Sequence, residues 1–271
     1  MKKIISISLA LTLALGFASV SATELNVIPF PKGIETTKEG ASSYQNSGDH
    51  KDSPYFSHPD FYNMKSTDTL TILEKFKTYQ QTSEVTCGPA SALTVLHHYK
   101  KNTNYNEMQI AEIMQTHKDK NKNNKEEPGV ANERGEYGTS TDGMVAFFKK
   151  IGWNVTSSLD SKNGASFDDP AKFQDWVISN LKKNTPIMIE WLDWSGHWQT
   201  IIGYDTMGTE SFGDDVIIVA DPYDTSDHLQ DGYYILNAER FFYMWSDKGI
   251  LPEDQSEQQW VIATPPATKA K

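Results

Sequence analysis

The chain has 271 residues, a formal net charge of −11 and a single cysteine, Cys87. That acidity excludes binding driven by nucleic-acid phosphates or anionic membrane surfaces, because such binding rests on basic patches. One cysteine excludes an internal disulfide, so stability must come from a core, which a chain of this length can build in one domain.

Taken in chain order, the N-terminus reads MKKIISISLALTLALGFASVSATE. Lys2 and Lys3 precede a short apolar run that ends at the small residues Val20-Ser21-Ala22, which is the pattern of a secretory signal peptide. The run is shorter than the ~20 apolar residues a membrane span needs. Residues 1–22 are therefore expected to be removed, giving an exported protein, periplasmic or secreted, with no membrane anchor. Residues 23–65 are poor in aliphatics and rich in Ser, Gly, Asp, Lys and Pro; they read as a polar, partly irregular leader with the look of a propeptide.

A domain is expected over residues 66–264, followed by a flexible tail over 265–271. TLTILEKFKTY, from Thr69, shows strand-type alternation. From Gly88 the period changes to that of a helix, with Ala92, Val95, Leu96 and Tyr99 on one stripe and Pro89 in the first turn. A second helix begins near Asn106, and a long polar loop, KDKNKNNKEEPGVANERGEYG, is placed to border a cleft. STDGMVAFFKKIG reads as a helix capped by Ser140 or Thr141, WNVTSS as a strand, and Pro170 to Lys183 as a helix. PIMIEW, HWQTIIGYD, DDVIIVADP, GYYILNA and QQWVIAT then form five short strands separated by turn residues. Helices followed by strands indicate an α+β domain with an antiparallel sheet.

An exported protein that keeps one unpaired thiol needs a reason for it. Cys87 stands where the helix starts, and unpaired N–H groups and the helix dipole favour a thiolate there. Gly88 allows close approach of a substrate or backbone, because it has no Cβ. A nucleophilic cysteine also needs a base. Of seven histidines, His50 and His58 lie in the leader, His117 precedes the charged loop, and His228 sits in an Asp-rich turn. His97 and His98 are on the cysteine's own helix, but roughly 15 Å further along its axis. His197 remains, at the start of the strand HWQTIIGYD. Asp221, at the end of the next strand, is suited to hold an imidazole tautomer. The amide of Gln81, six residues before Cys87, is placed to act with the Cys87 N–H on a developing oxyanion. Spacing alone leaves the adjacent Gln80 as an alternative.

Trp191, Trp194 and Trp198 surround His197 in WLDWSGHW, as walls of a substrate cleft or as a roof over the core. Asp221, Asp224, Asp227 and Asp231 are oxygen-rich but lack the order and closing Glu of an EF-hand, so a hydrated turn is the better reading. No metal and no cofactor is expected.

Together these residues resemble the papain-like cysteine peptidases and, within them, the C39-like family. The resemblance rests on Gln81, the helix start Cys87-Gly88-Pro89-Ala90, His197 in GHWQTIIGYD and Asp221-Pro222 in VADPYD, over about Lys75 to Thr264. It implies a papain-like α+β fold, with a helical N-terminal part carrying the cysteine and an antiparallel sheet carrying His and Asp. It further implies that Cys87 is the nucleophile, His197 the general base and acid, Asp221 the orienting group and Gln81 an oxyanion donor. Gly88, Trp194 and Trp198 are the expected substrate contacts, and a peptide or protein is the expected partner. The best-known C39 domains are fused to a membrane exporter and cut bacteriocin leaders after a double glycine. This chain carries a signal-type N-terminus instead, so the substrate does not transfer. The same fold also serves transpeptidases of the phytochelatin-synthase type, deamidases and non-catalytic binding modules.

Overall fold

A computed structural model describes residues 26–46, 53–116, 138–161, 165–248 and 256–267. The signal segment 1–22 and most of the tail lie outside the described residues, as do His50 and His117.

Seven described strands form one antiparallel sheet. They are β1 (Leu70–Ile72), β2 (Asn154–Ser157), β3 (Ile187–Leu192), β4 (Gly196–Asp205), β5 (Val216–Ala220), β6 (Tyr233–Asn237) and β7 (Gln259–Thr264). The order is β2-β7-β3-β4-β5-β6, with β1 also paired to β4. Among the described residues, five helices flank it: α1 (Cys87–His98), α2 (Glu107–Met114), α3 (Thr141–Lys150), α4 (Pro170–Lys182) and α5 (Ala238–Met244).

The central strands β3, β4 and β5 are buried on both faces, and strand alternation divides their side chains between two cores. On β3, Ile187, Ile189 and Trp191 join a core with Phe173 and Val177 of α4 and Phe241 and Phe242 of α5. Met188, between them, points the other way, into a core with Ala92, Val95 and Leu96 of α1, Ile110 of α2 and Phe147 of α3. This mixed α/β architecture with an antiparallel sheet is as expected. The helices, however, lie on both sides of the sheet, and α5 falls inside a stretch whose periodicity suggests only strands and turns.

The predicted starts of α2 and α3 are exact in their chemistry. Asn106 forms a capping box with Gln109 at the head of α2, and Ser140 caps α3. α1 differs from the expected single stripe, since all residues from Cys87 to Leu96 are buried. A helix buried on all sides is held by the whole domain around it.

Two connecting segments bear on the site. TMGTESFGDD forms no extra hairpin. It is the connection between β4 and β5, with one short 3-10 turn at Phe212–Asp214. The leader is also more ordered than its composition suggests. Val27 bridges Thr78, Ile28 and Ala41 are buried, and Phe61 packs into the larger core. Gly40 lies against the backbone of Gln81–Ser83, with φ of +68°. A Cβ there would come within 2.6 Å of the Gln81 carbonyl, so only glycine permits this close approach.

Candidate active site

Three elements bring the chemistry together. α1 starts at Cys87, β4 carries His197 at its second residue, and Asp221 follows directly after β5. β4 and β5 are neighbours, with Thr200 opposite Ala220, so residues just beyond that pair face one another across the strand ends. α1 is tied to the same strand by the Ser91 hydroxyl, which donates to the Trp198 carbonyl across 3.2 Å.

His197 Nε2 donates to Asp221 Oδ1 across 2.7 Å, with both side chains buried. Cys87 lies close enough to the same imidazole to interact with it, and with Nε2 engaged by Asp221, Nδ1 is the nitrogen left for the sulfur. Burial pushes the His197 pKa down, but the Asp221 charge, its hydrogen bond and the Cys87 interaction outweigh this and raise it to about 10. Asp221 responds in the opposite sense: burial raises its pKa, but the charge and hydrogen bond of His197, with the bonds from Tyr223 and Gln199, together leave it below the usual carboxylate value.

Two further donors reach the Asp221 carboxylate. Gln199 Nε2 donates to Oδ2 across 3.0 Å and the Tyr223 N–H to Oδ1 across 2.8 Å. Gln199 is itself oriented by the Trp191 indole N–H, at 2.9 Å. Gln80 Nε2 donates to the Asp221 backbone carbonyl across 3.1 Å. Gln199 was detectable in the sequence, since in HWQ it lies two residues from His197 on the same side of the strand. Gln80 could not be separated from Gln81 by spacing.

The segment leading into Cys87 hangs on one buried acid, Glu107. Its carboxylate accepts from the Tyr79 hydroxyl (3.0 Å), the Thr82 N–H (2.9 Å), the Thr82 hydroxyl (2.7 Å) and the Thr86 hydroxyl (2.5 Å). Burial holds its pKa above the ordinary value despite these bonds. Because the Thr86 hydroxyl is engaged there and with the Ser83 carbonyl, Thr86 makes no side-chain cap for α1. The first N–H groups of α1, at Cys87 and Gly88, are thus left uncapped by it.

Cys87 and His197 line a cleft of about 310 Å³ together with Glu84, Val85, Gly138, Thr139, Glu190, Trp194, Ser195, Trp198 and Asp247, among others. Gly138 and Thr139 follow the long polar loop, whose residues 117–137 lie outside the described ones.

A family model described as the Peptidase_C39 like family matches residues 73–248, more than half of the chain. The chain belongs to the Peptidase_C39 like family. At that level it is a cysteine peptidase, and the matched span contains Gln81, Cys87, His197 and Asp221. Two solved structures are similar to it. One is the peptidase domain of Streptococcus ComA, described as a bi-functional ABC transporter involved in a quorum sensing pathway. It is 17% identical, with 70% of this chain and 98% of that chain covered and a TM-score of 0.38. The other is the peptidase domain of Streptococcus mutans ComA, 15% identical, with 70% and 100% covered and a TM-score of 0.33. No curated protein matches the sequence significantly.

The remaining expected contacts of this C39-like chain divide. Trp194 is 62% exposed, and its ring lies 6.0 Å from the His197 ring and 5.1 Å from that of Tyr223. Trp198 is buried, its indole N–H held by the Thr139 carbonyl at 2.8 Å, and it forms part of the cleft wall. Trp191 belongs to the larger core. Gly88 does not line the cleft; the space beside it is filled by Thr139, whose Cβ a Gly88 Cβ would meet at 2.7 Å. Gln81 is buried and also absent from the cleft lining; its Nε2 donates to the Ser83 carbonyl across 2.8 Å. Among the described residues, no group of three or more His, Cys, Asp or Glu is placed to hold a metal ion, and no helix is long and apolar enough to cross a membrane.

Proposed function

We propose that the protein hydrolyses peptide bonds through a Cys87-His197-Asp221 triad. The observation that carries this reading is the position of His197, bonded to the Asp221 carboxylate at 2.7 Å and sharing the wall of an open cleft with Cys87. Such an imidazole, held in one orientation by a carboxylate, takes and returns a proton at the sulfur.

In this mechanism Cys87 attacks as thiolate, paired with the His197 imidazolium. Sγ forms a bond to the scissile carbonyl carbon, and the carbonyl oxygen becomes an oxyanion. The uncapped N–H groups at the start of α1 face that charge. Loss of one such donor typically costs about 10²–10³-fold in kcat. As the tetrahedral species collapses, the C–N bond breaks and His197 gives its proton to the leaving amine. Water then attacks the thioester, His197 takes its proton, and Sγ departs with the carboxylic acid as the second product.

The signal-type N-terminus adds export to this proposal. N-terminal sequencing of protein recovered from outside the cytoplasm should begin at Thr23. The activity is tested by digesting a peptide library with wild type and Cys87→Ala and reading the products by mass spectrometry. New termini with wild type and none with the variant are expected; identical patterns would remove the assignment. Added hydroxylamine, captured as hydroxamate, separates acyl transfer from hydrolysis.

A further inference from the structure

The cleft holds a second pair of titratable groups that the cysteine chemistry does not use. Glu190, on β3, and Asp247, just beyond α5, both line the cleft that contains Cys87 and His197. Glu190 is 3% exposed and Asp247 0%. Glu190 Oε2 and both carboxylate oxygens of Asp247 accept no hydrogen bond from any described donor. The two carboxyls are close enough to share a proton: burial first, and then the hydrogen bond and charge of Asp247, hold the Glu190 pKa well above the ordinary value, so the pair carries its negative charge jointly.

Such an arrangement is costly unless something completes it, because buried polar atoms without partners lose their hydration and gain nothing in return. The neighbours do not supply a partner. Among the described residues, no Lys or Arg lines the cleft, and Lys248, next to Asp247 in the chain, pairs with Glu257 at 2.5 Å. The third acid of the cleft, Glu84, is by contrast satisfied, accepting from the Gly40 N–H at 2.9 Å and the Tyr223 hydroxyl at 3.0 Å.

The backbones beneath the pair are fixed. Glu190 lies between Trp198 on β4 and Gln259 on β7, and its carbonyl accepts from the Trp245 indole at 3.0 Å. The Asp247 N–H donates to the Ser256 carbonyl across 2.8 Å. Two rigidly placed carboxyls therefore present three unpaired acceptor oxygens beside the sulfur. A primary ammonium carries three donors and a guanidinium five, with no acceptor on either. Trp194 and Trp198 provide apolar and π surfaces along which the methylene stem of a long basic side chain can lie.

We propose that Glu190 and Asp247 form the subsite for a cationic side chain, Lys or Arg, on a substrate residue flanking the scissile bond. The pair thereby sets a preference for basic peptides. This inference rests on the peptidase reading for its substrate but not for its electrostatics, and the test uses that difference.

Cys87 is modified with two methanethiosulfonate reagents of similar size, the cationic 2-aminoethyl and the anionic 2-sulfonatoethyl compound, and the rate ratio is measured. Wild type should favour the cation, and the double variant Glu190→Gln/Asp247→Asn, which removes the charge of the pair, should lower the ratio about tenfold, as a focused local field requires. The control Glu74→Gln, at an exposed position, should leave it unchanged. A ratio that is unaltered in the double variant overturns the proposal, whether or not any peptide is cleaved. A second arm needs wild type alone: kcat/KM for peptides with Lys, norleucine or Glu at the positions flanking the cleaved bond. Lys should exceed norleucine by about tenfold or more, since norleucine leaves the acceptors unpaired. Equal values for Lys, norleucine and Glu overturn it, and cleavage of norleucine peptides alone would leave the peptidase standing without this subsite.

Discussion

Gln199 donates to Asp221 Oδ2 across 3.0 Å, so the carboxylate that holds His197 is itself held from its other oxygen. An ionised carboxylate this deeply buried persists only when its lone pairs are filled. With His197 and the Tyr223 N–H on Oδ1, the bond from Gln199 completes that set and fixes the plane of the carboxylate.

Removing the charge from Asp221 while keeping its shape should cost activity more than stability. Asp221→Asn is expected to lower kcat by about 10²–10⁴-fold, because the amide no longer selects the His197 tautomer. Gln199→Leu should lower it less, with a similar KM, because it frees Asp221 to rotate without removing its charge. Steady-state kinetics on a cleaved peptide, with thermal melts of each variant, check both.

Cys87 itself gives the most direct readout. Iodoacetamide should label it rapidly near neutral pH in the folded protein, and His197→Ala should slow that labelling by about tenfold or more, as expected when a nucleophile loses its base. Intact-protein mass spectrometry follows both rates; equal rates would detach His197 from the thiol.

The His197–Asp221 pair also predicts a pH dependence of stability. His197 has a folded pKa raised from 6.5 to about 10. Its contribution to stability is therefore fully present below pH 6.5 and is lost as pH rises through about 10. The difference in unfolding free energy between wild type and His197→Gln should be largest near pH 6 and shrink by pH 10. Urea titrations at the two pH values measure it, and the difference between variants cancels the other groups that titrate in that range.

Glu107 should be the most sensitive position outside the cleft. Glu107→Gln places an amide among three hydroxyls and the Thr82 N–H, and is expected to destabilise the fold by about 1–3 kcal/mol. Because those partners are Tyr79, Thr82 and Thr86, the segment entering α1 should loosen first. Hydrogen exchange of residues 82–87 should rise more than that of β5.

Gly40→Ala tests whether the leader is part of the domain. The added Cβ would meet Gln81–Ser83 at 2.6–2.7 Å, in a left-handed backbone conformation, at a cost on the order of 1–3 kcal/mol. Limited proteolysis should then cut residues 26–46 sooner than in wild type.

Much of this arrangement was legible along the chain. The helix caps at Asn106 and Ser140, the apolar strand runs and the positions of His197 and Asp221 at strand ends all follow from local patterns of side-chain period and turn chemistry. α5 escaped because AERFFYM is short and its apolar residues are contiguous, a pattern that does not separate helix from strand. The docking of the leader escaped for a different reason: polar composition reports what a segment lacks, not the single residues, such as Ile28 and Phe61, that anchor it.

By itself, the sequence determined the family, the order of its chemical residues and the elements on which they sit, because these depend on spacing within one segment. The tertiary structure alone decided which of those residues meet. Gln80 reaches the Asp221 carbonyl while Gln81 bonds to Ser83. Glu190, a lone acid in an apolar strand, faces Asp247 in the cleft of the cysteine. Such meetings depend on which strand lies beside which and on how the ends of separate elements converge, and no local pattern encodes that.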